Sequence, residues 1–547
     1  MSESAERHVP SYQLLVDGQP LAPEQRDRVK EIRVDDYLRL PDVCSVHVTY
    51  PQGDGVDSMP FGIGKAVEVR LGETDALAPV TLFKGQIVTL EPEFGAGGCS
   101  VAVRAYDRSH VLHRSRGTRT FQNQTSSDIV TQIVSDAGLM ADCEDSGEPH
   151  EFMQQNNETD WDFIWRLAER IGFEFVVDDK VAHFRRPADD EPTELEWPKT
   201  LHTFRPRVTA VQQVQEVTLL AHDPKTKQVI DVTKSSPNQI AQIGIDRATV
   251  AATIDKAKVH IATEPVKSRA EGDALAQALL DKLANAYVAA DGIAPGNPAI
   301  RAGTKVKVTG VGTTFGGIYR VAKSTHLLRG GGAYETHFAN SPSHTLLDAV
   351  GAANGASPNL GAQVVRGIVT NNKDPDGMGR VRVRLPWLSG DVESAWARVA
   401  SPSAGKERGL LMLPVPDEEV LVAFEHGDTT RPYVLGSLFN GVDKPGDDLL
   451  QGNDGSFAVK SDHKIYLHCD EDMTLDSGGE LRVTVAKDAS LKTKQSLTLE
   501  AQQSAELKAT QDVTIEGTTS LTLKCGAAQI QLSASGVTIS GPTINIG

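Results

Sequence analysis

A few short stretches of this 547-residue chain carry residue types that could do chemistry. Asn372-x-Asp374-x-Asp376-Gly377 has the oxygen ligands and the glycine that open a calcium-binding loop. The twelfth position of such a loop should supply a bidentate Glu; here it is Val383, and the flanks read as strands rather than helices. A hairpin turn fits better. Gly62-x-Gly64 and Gly377-x-Gly379 lack the strand–helix context of a dinucleotide fingerprint and read as turns. His463 and His468 stand in polar stretches at no metal-ligand spacing and read as solvated surface. Cys44, Cys99, Cys143, Cys469 and Cys525 are odd in number and widely spaced, with no CxxC. That excludes a disulfide framework or zinc ribbon and leaves free thiols. Elsewhere Asp, Glu and His form no readable triad, although a triad assembled only in space leaves no sequence signal. The expectation is no catalytic, cofactor-binding or metal-binding residue, no cofactor, and a protein that is not an enzyme.

The pattern that does stand out is an eight-residue beat. Apolar pairs at i and i+2 recur as Phe457/Val459, Ile465/Leu467, Met473/Leu475, Leu481/Val483, Ala489/Leu491, Leu497/Leu499, Ala505/Leu507, Val513/Ile515 and Leu521/Leu523. A fixed internal period is the signature of a repeat architecture. An i, i+2 pair lies on one face of a β-strand, and a period of eight fits neither coiled-coil repeat. Thr, Val, Leu and Ile favour strand; Asp, Lys, Gln, Ser and Gly between the pairs favour turns. No Pro occurs from Phe457 to Gly541. Each octad reads as a short strand, a bend and a polar return segment. One such chain would leave long unpaired edges. Three chains around one axis would pair every edge and close a dry apolar interior. The expectation is an intertwined trimeric β-helix, with these eighteen residues as the trimer core; the rival is a single-chain β-solenoid, which usually has longer rungs. The beat then slips to Ile530/Leu532, Val537/Ile539 and Ile544/Ile546. That slip marks the end of the repeat, at Val537, Ile539, Ile544, Ile546 and Gly547.

Length implies several domains. A net charge of −18 argues against nucleic acid as a partner. The polar N-terminus MSESAERHVP lacks an apolar signal-peptide core, and no run of about 18 apolar residues exists. Synthesis in the cytoplasm without a signal peptide is expected.

Several elements precede the repeat. Residues 1–110 read as a β barrel with strands near Val43–Val48, Ala66–Leu71, Thr81–Leu90 and Cys99–Tyr106. Residues 111–200 read as an α/β insert. Ser126 or Thr125 caps a helix with Ile129, Ile133 and Ala137, closed by Gly138; Thr159 caps a second with Trp161, Ile164, Trp165, Ala168 and Ile171, closed by Gly172. A hairpin follows, turning at Asp178-Asp179-Lys180. Residues 201–350 read as a second barrel with a long helix bearing Ala276, Leu279, Leu280, Leu283 and Tyr287, a loop over Asp291–Pro298, and strands at Lys305–Thr309 and Ile318–Val321. Residues 345–360 read as a linker. Five short strands in 361–445 fit an OB-type barrel. The octads fill 457–547.

Gly367-Ile-Val-Thr-Asn-Asn-Lys-Asp-Pro-Asp-Gly-Met-Gly-Arg-Val-Arg-Val383 resembles the opening hairpin of the barrel in VgrG and phage baseplate-spike proteins. Trp396-Ala-Arg-Val-Ala400, Pro414-x-Pro416-Asp-Glu-Glu-Val420, Val422-Ala-Phe-Glu-His-Gly-Asp428 and Arg431-Pro-Tyr-Val-Leu-Gly-Ser437 resemble its later segments. Asn156–Glu169 with Gly172-Phe-Glu-Phe175 resembles the hub module of phage late-control proteins. The resemblance covers most of the chain in order: hub, barrel, needle. It implies a mainly β, multidomain fold: tandem barrels with a small α/β insert as hub, an OB-fold barrel, and a C-terminal intertwined triple-stranded β-helix needle.

The implied function is a homotrimeric hub-spike at the tip of a contractile injection machine, phage-like or extracellular in type. It would link a hexameric inner tube to a membrane-puncturing needle. The implied partners are two further copies of itself, the inner-tube ring, a PAAR-type tip protein bound as a cap by Val537, Ile539, Ile544, Ile546 and Gly547, other baseplate proteins, an effector cargo, and the target membrane by mechanical contact. The implied location is a contractile particle: cytoplasmic, virion-borne or extracellular. Some relatives carry a lysozyme domain between barrel and needle. Here roughly 16 residues separate Asn440 from Phe457, too few for an enzyme, and one residue follows Ile546. Some relatives hold iron at the tip through His-x-His, and no His follows His468. A spike with cell-wall hydrolase activity and a receptor-binding tail fibre are the alternatives.

Overall fold

A computed structural model describes residues 11–51, 56–72, 79–211, 213–223, 226–238, 241–253, 257–262, 266, 268–330, 333–341, 364–385, 393–447, 449 and 457–545. The N-terminal decapeptide, the 345–360 linker, residues 361–363, Ile546 and Gly547 lie outside them. The chain is mainly β and multidomain. It divides into two units, Met1–Asp454 and Gly455–Gly547.

The first unit opens with strands whose burial alternates. In Val43–Tyr50, Cys44, Val46, Val48 and Tyr50 point into the core and the residues between them do not. Ala66–Gly72 and Gly98–Tyr106 follow the same rule. Val29–Tyr37 and Val80–Gly95 break it where Val34, Asp35 and Asp36, and Leu82 and Phe83, are buried in succession, and the strands enclose a core around Val34, Val69, Ile87 and Val103. This sheet does not stop at the first β region. Lys323–Arg329 pairs antiparallel with Val29–Tyr37, and Ala333–Ala339, Val288–Pro295 and Thr203–Val208 continue it, giving eleven strands in one sheet. The second region has its own core around Leu201, Ile300, Val306, Val308 and Tyr319.

Between the two regions lies the α/β insert. The helix Ser126–Asp136 starts at a reciprocal capping box: Thr125 Oγ1 accepts from Asp128 N at 3.1 Å, and Asp128 Oδ2 accepts from Thr125 N at 3.0 Å. The helix Asp160–Ile171 is capped by Thr159 and ends at Gly172, whose φ of 72° suits a residue without Cβ. Its buried face is Trp161, Phe163, Ile164, Leu167 and Ala168, wider than the spacing of Trp161, Ile164 and Ala168 implies. Glu174–Asp178 and Val181–Arg185 form the hairpin, with Asp179 at φ 50° in its turn. The helix Arg269–Asn285 buries Gly272, Ala276 and Leu280 against Val217, Leu219 and Val232.

The loop expected over Asp291–Pro298 is corrected. Val288–Pro295 is an interior strand of the long sheet, paired on both sides. Asp291 and Gly292 read as loop formers, but Asp291 sits on the outward side and pairs with Arg205 at 3.0 Å. Gly292 leaves room for the Phe338 ring, which a Cβ would meet at 2.5 Å.

Strands Val365–Asn371, Arg380–Arg384, Ala397–Val399, Glu419–Phe424 and Pro432–Ser437 close into a barrel. Ala397–Val399 and Pro432–Ser437 run parallel and seal it. Val369, Val381, Val383, Ala397, Val420, Val422 and Val434 fill its interior. Among the described residues no helix is long and apolar enough to cross a membrane.

The second unit keeps the beat as geometry. Bends fall at Asp462-His463, Asp470-Glu471, Gly478-Gly479, Ala486-Lys487, Lys494-Gln495, Gln502-Gln503, Thr510-Gln511 and Thr518-Thr519, every eight residues. Between them the backbone carries no assigned helix or strand, so each octad has one bend and no separate return segment. The last part is different. Ser520–Cys525, Ala528–Ser533 and Gly536–Ser540 form an antiparallel three-stranded meander within the chain.

Candidate functional site

The first candidate surface is the octad stripe. Each apolar pair follows its bend at the same offset, so the pairs fall at one position of every repeat. Every residue from Phe457 to Thr519 is exposed. Within one chain these residues therefore form no core. Phe457, Val459, Ile465, Leu467, Met473, Leu475, Leu481, Val483, Leu491, Leu497, Leu499, Leu507, Val513, Ile515 and Leu523 all lie open, as do Ala489 and Ala505. Leu521 alone of the eighteen is half-buried. The physical reason is that one octad makes no fold over the next: Val459, Leu467, Val483 and Leu507 have no facing layer in their own chain to bury against. Any core built from them needs atoms from outside this segment.

Among the described residues, no backbone–backbone hydrogen bond outside regular elements reaches 457–519. A run of N–H and C=O groups and a stripe of Leu, Val and Ile therefore lie open together. Both lower their free energy when covered: the amides by strand pairing, the side chains by about 25 cal/mol per Å² of apolar area buried.

The meander carries the stripe onward. Leu521 faces Leu532, which faces Val537; Leu523 faces Ile530, which faces Ile539. These six residues share one face of the sheet. Thr522, Gln531 and Thr538 stand on the other. The slipped beat is explained here: two-residue connections at Gly526-Ala527 and Ala534-Ser535 replace bends. Gly526, at φ 57°, suits the first central position of such a turn. Of the residues expected at the tip, Val537 and Ile539 lie in the last strand on the apolar face, and Ile544 follows it, exposed.

In the closed barrel, the calcium-like motif is filled from within. Asp374 accepts from the backbone N–H of Asp376, Met378 and Arg380, and its carboxylate takes the Arg380 guanidinium at 2.7 and 3.0 Å. Arg380 also reaches Asp376 at 2.6 Å. The cation at this loop is a side chain. That guanidinium holds the Asp374 carboxyl well below the usual carboxylate range. Gly377 and Gly379 take φ of 66° and 68°, completing a tight hairpin. Arg382 stacks on Trp396 with 4.9 Å between guanidinium and ring. His463 and His468 are exposed, with His468 beside Asp470 at 3.2 Å. Among the described residues, no group of three or more His, Cys, Asp or Glu side chains could hold a metal ion.

The hub-like motif fastens the insert. Trp161 Nε1 donates to the Arg39 carbonyl at 3.2 Å, and Arg39 lies over Trp165 and pairs with Glu169. Arg166 bridges Glu158 and the Gln154 carbonyl.

One charged cluster has no sequence signature, because its members are far apart in the chain. Arg301 pairs with Asp36 and stands 3.8 Å from Asp42, joining the two β regions. Asp107 accepts from Ser109 Oγ at 2.7 Å nearby. Burial and then the charge on Asp36 push Asp42 well above its ordinary value. Burial drives Asp107 up to about 7. His326, buried nearby with its Nδ1 against the Tyr334 hydroxyl at 2.8 Å, is lowered to about 4 by burial and then by Arg301.

Comparison with known proteins gives matches over both parts of the first unit. The family described as the Alg8 N-terminal domain matches residues 11–329, more than half of the chain. The type VI secretion system/phage-baseplate injector OB domain matches residues 365–439, the closed barrel. The type VI secretion system spike protein VgrG1a of Pseudomonas aeruginosa is 26% identical over 369 residues, covering 60% of this chain and 55% of that protein. VgrG1b of the same organism is 27% identical over 374 residues, covering 60% and 48%. The chain thus spans about half the length of these curated relatives. Among solved structures, an E. coli protein described as a type VI secretion component similar to T4 bacteriophage tail proteins aligns with a TM-score of 0.45 and 18% identity, over 75% of this chain and 96% of that one.

Proposed function

The chain belongs to the VgrG and phage-baseplate spike family, its residues 11–329 to the Alg8 N-terminal domain family, and from that premise we propose that it is the homotrimeric hub-spike of a contractile injection machine. Residues 1–110 and 201–350, with the insert 111–200, form the hub. The sheet shared by the two β regions supports treating them as one rigid piece that transmits axial force. Residues 361–445 are the OB collar, and 457–547 are one third of a puncturing needle. The observation that carries this reading is the octad stripe: open backbone and open Leu, Val and Ile, in one register, along the whole segment. Two further copies of the same chain match that repeat in length and spacing. Val459, Leu467, Val483 and Leu507, open in one chain, are then covered by their own counterparts.

The hub's partners are the inner-tube ring and other baseplate proteins. The end from Val537 and Ile539 to Ile544, Ile546 and Gly547 faces a PAAR-type tip protein. An effector cargo travels with the spike, and the target membrane is met mechanically. The work is structural rather than enzymatic, as the curated relatives named spike proteins support. The protein acts as part of the contractile particle. Leu499→Asp and Ile515→Asp, each present three times around one axis, are expected to convert trimers to monomers in sedimentation velocity. Compact trimers from both variants would defeat the reading. A peptidoglycan-release assay on the purified protein is expected to be negative; release above background would favour the hydrolase alternative.

A further inference from the structure

A perfect repeat has a weakness: it does not fix its own alignment. If three copies of 457–523 slide by one octad, eight of the nine apolar pairs still meet apolar pairs. Weakly specified register invites slippage. Among the described residues, the octads also hold no backbone pairing of their own between 457 and 519. They cannot form until three chains are already side by side.

The meander Ser520–Ser540 differs on both counts. Its hydrogen bonds close within one chain across two-residue turns, so it forms locally and early. Its sequence breaks the period, so it has only one alignment with its copies. Its face Leu521, Leu523, Ile530, Leu532, Val537 and Ile539 is 40–65% exposed at every member except Leu521, which is half-buried. That face continues directly from the octad stripe, since Leu521/Leu523 is both the ninth pair and part of the first strand of the meander. Whatever covers the octads must also cover this face. A six-residue apolar patch with a polar back of Thr522, Gln531 and Thr538 is suited to packing three-fold as the sides of a prism.

We infer that Ser520–Ser540 is the nucleus and register clamp of the trimer: its apolar face packs against the same face of two further copies, and the octads then wind from it back toward Phe457. This rests on the three-chain reading of the octads. It moves Val537 and Ile539 from the tip-facing end into the packed trimer face, and leaves Ile544, Ile546 and Gly547 to meet the tip partner.

The test uses the full-length chain refolded from denaturant. Ile530→Asp/Ile539→Asp strikes the clamp face, and Thr538→Asp strikes its back. Spin labels on the exposed Cys469, with Cys143 and Cys525 replaced by Ser, report alignment through label–label distances. The parent chain and Thr538→Asp should give trimers with a single short distance. Ile530→Asp/Ile539→Asp should trimerise at least tenfold more slowly and add longer distances from octad slips. Trimerisation within twofold of the parent rate, with one distance, overturns the inference. If the double variant makes no trimer, an unrelated trimeric domain is fused in place of 520–547. Recovery of trimers supports the inference, and failure to recover them overturns it. A parent chain that is itself monomeric is a failure of the three-chain reading, visible before any variant is compared.

Discussion

Leu499→Asp is the sharpest perturbation of the stripe. Leu499 is 84% exposed in the single chain, so nearly its whole side chain is available to be covered. Burying a leucine side chain contributes roughly 1.5–3 kcal/mol. A three-chain needle buries three at one level, giving about 5–9 kcal/mol from that level alone. Leu499→Ala should therefore cost about 2–5 kcal/mol per chain, or about 6–15 kcal/mol per trimer. Leu499→Asp adds three carboxylates that must either lose water or push the chains apart. In the strand that the three-chain needle would form here, Thr498 faces opposite to Leu499, so Thr498→Asp should stay within about 0.5 kcal/mol of the parent. The assay is native mass spectrometry with thermal melting at matched micromolar concentration. The expected order is parent and Thr498→Asp trimeric, Leu499→Ala trimeric with a lowered Tm, and Leu499→Asp monomeric. Equal effects of Thr498→Asp and Leu499→Asp would refute the period-two facing argument. An unchanged Tm for Leu499→Ala would refute the burial itself.

Three further outcomes concern the first unit. Arg380→Met leaves Asp374, whose side chain is 3% exposed, buried without its cation. It should cost about 3 kcal/mol, seen as earlier proteolysis of the 371–384 hairpin. Asp107 has a folded-state value near 7 against an ordinary 3.8. Its contribution is therefore fully present below pH 3.8 and is lost as pH rises toward and through 7, with about 4 kcal/mol as the upper bound. Asp107→Asn, which mimics the protonated acid, should gain Tm relative to the parent at about pH 8 but not at about pH 3; a pH-independent difference would contradict this. Gly292→Ala sets a Cβ 2.5 Å from the Phe338 ring and should cost about 1–3 kcal/mol, measured by denaturant midpoint.

Legibility in the sequence followed the range of the interactions. Helix ends were readable because capping is local: Thr125 with Asp128, and Thr159 with Asp162, lie within one turn. The barrel was readable because its strands alternate and its turns carry Gly and Asp. The Asn372–Gly377 motif read as a turn, yet the cation that fills it, Arg380, was not singled out. The strand at Val288–Pro295 was missed because its buried residues after Val288 are Ala and Gly, which carry little strand signal, and its partners are distant in the chain, at Ala333–Ala339 and Thr203–Val208. The Asp36–Arg301 pair spans 265 residues and left no pattern at all. In the second unit, the eight-residue period was fully visible, as were the steps of nine and seven. What those steps build, a meander closed within one chain, depends on turn geometry at Gly526 and Ala534 that the spacing alone did not specify.

The central claim is that three copies of this chain share one needle. Sedimentation equilibrium of the purified full-length protein measures that directly. The account predicts a single species of about 176 kDa, three times the 58.8 kDa chain, persisting at nanomolar concentration. A concentration-independent species of 58.8 kDa would contradict it.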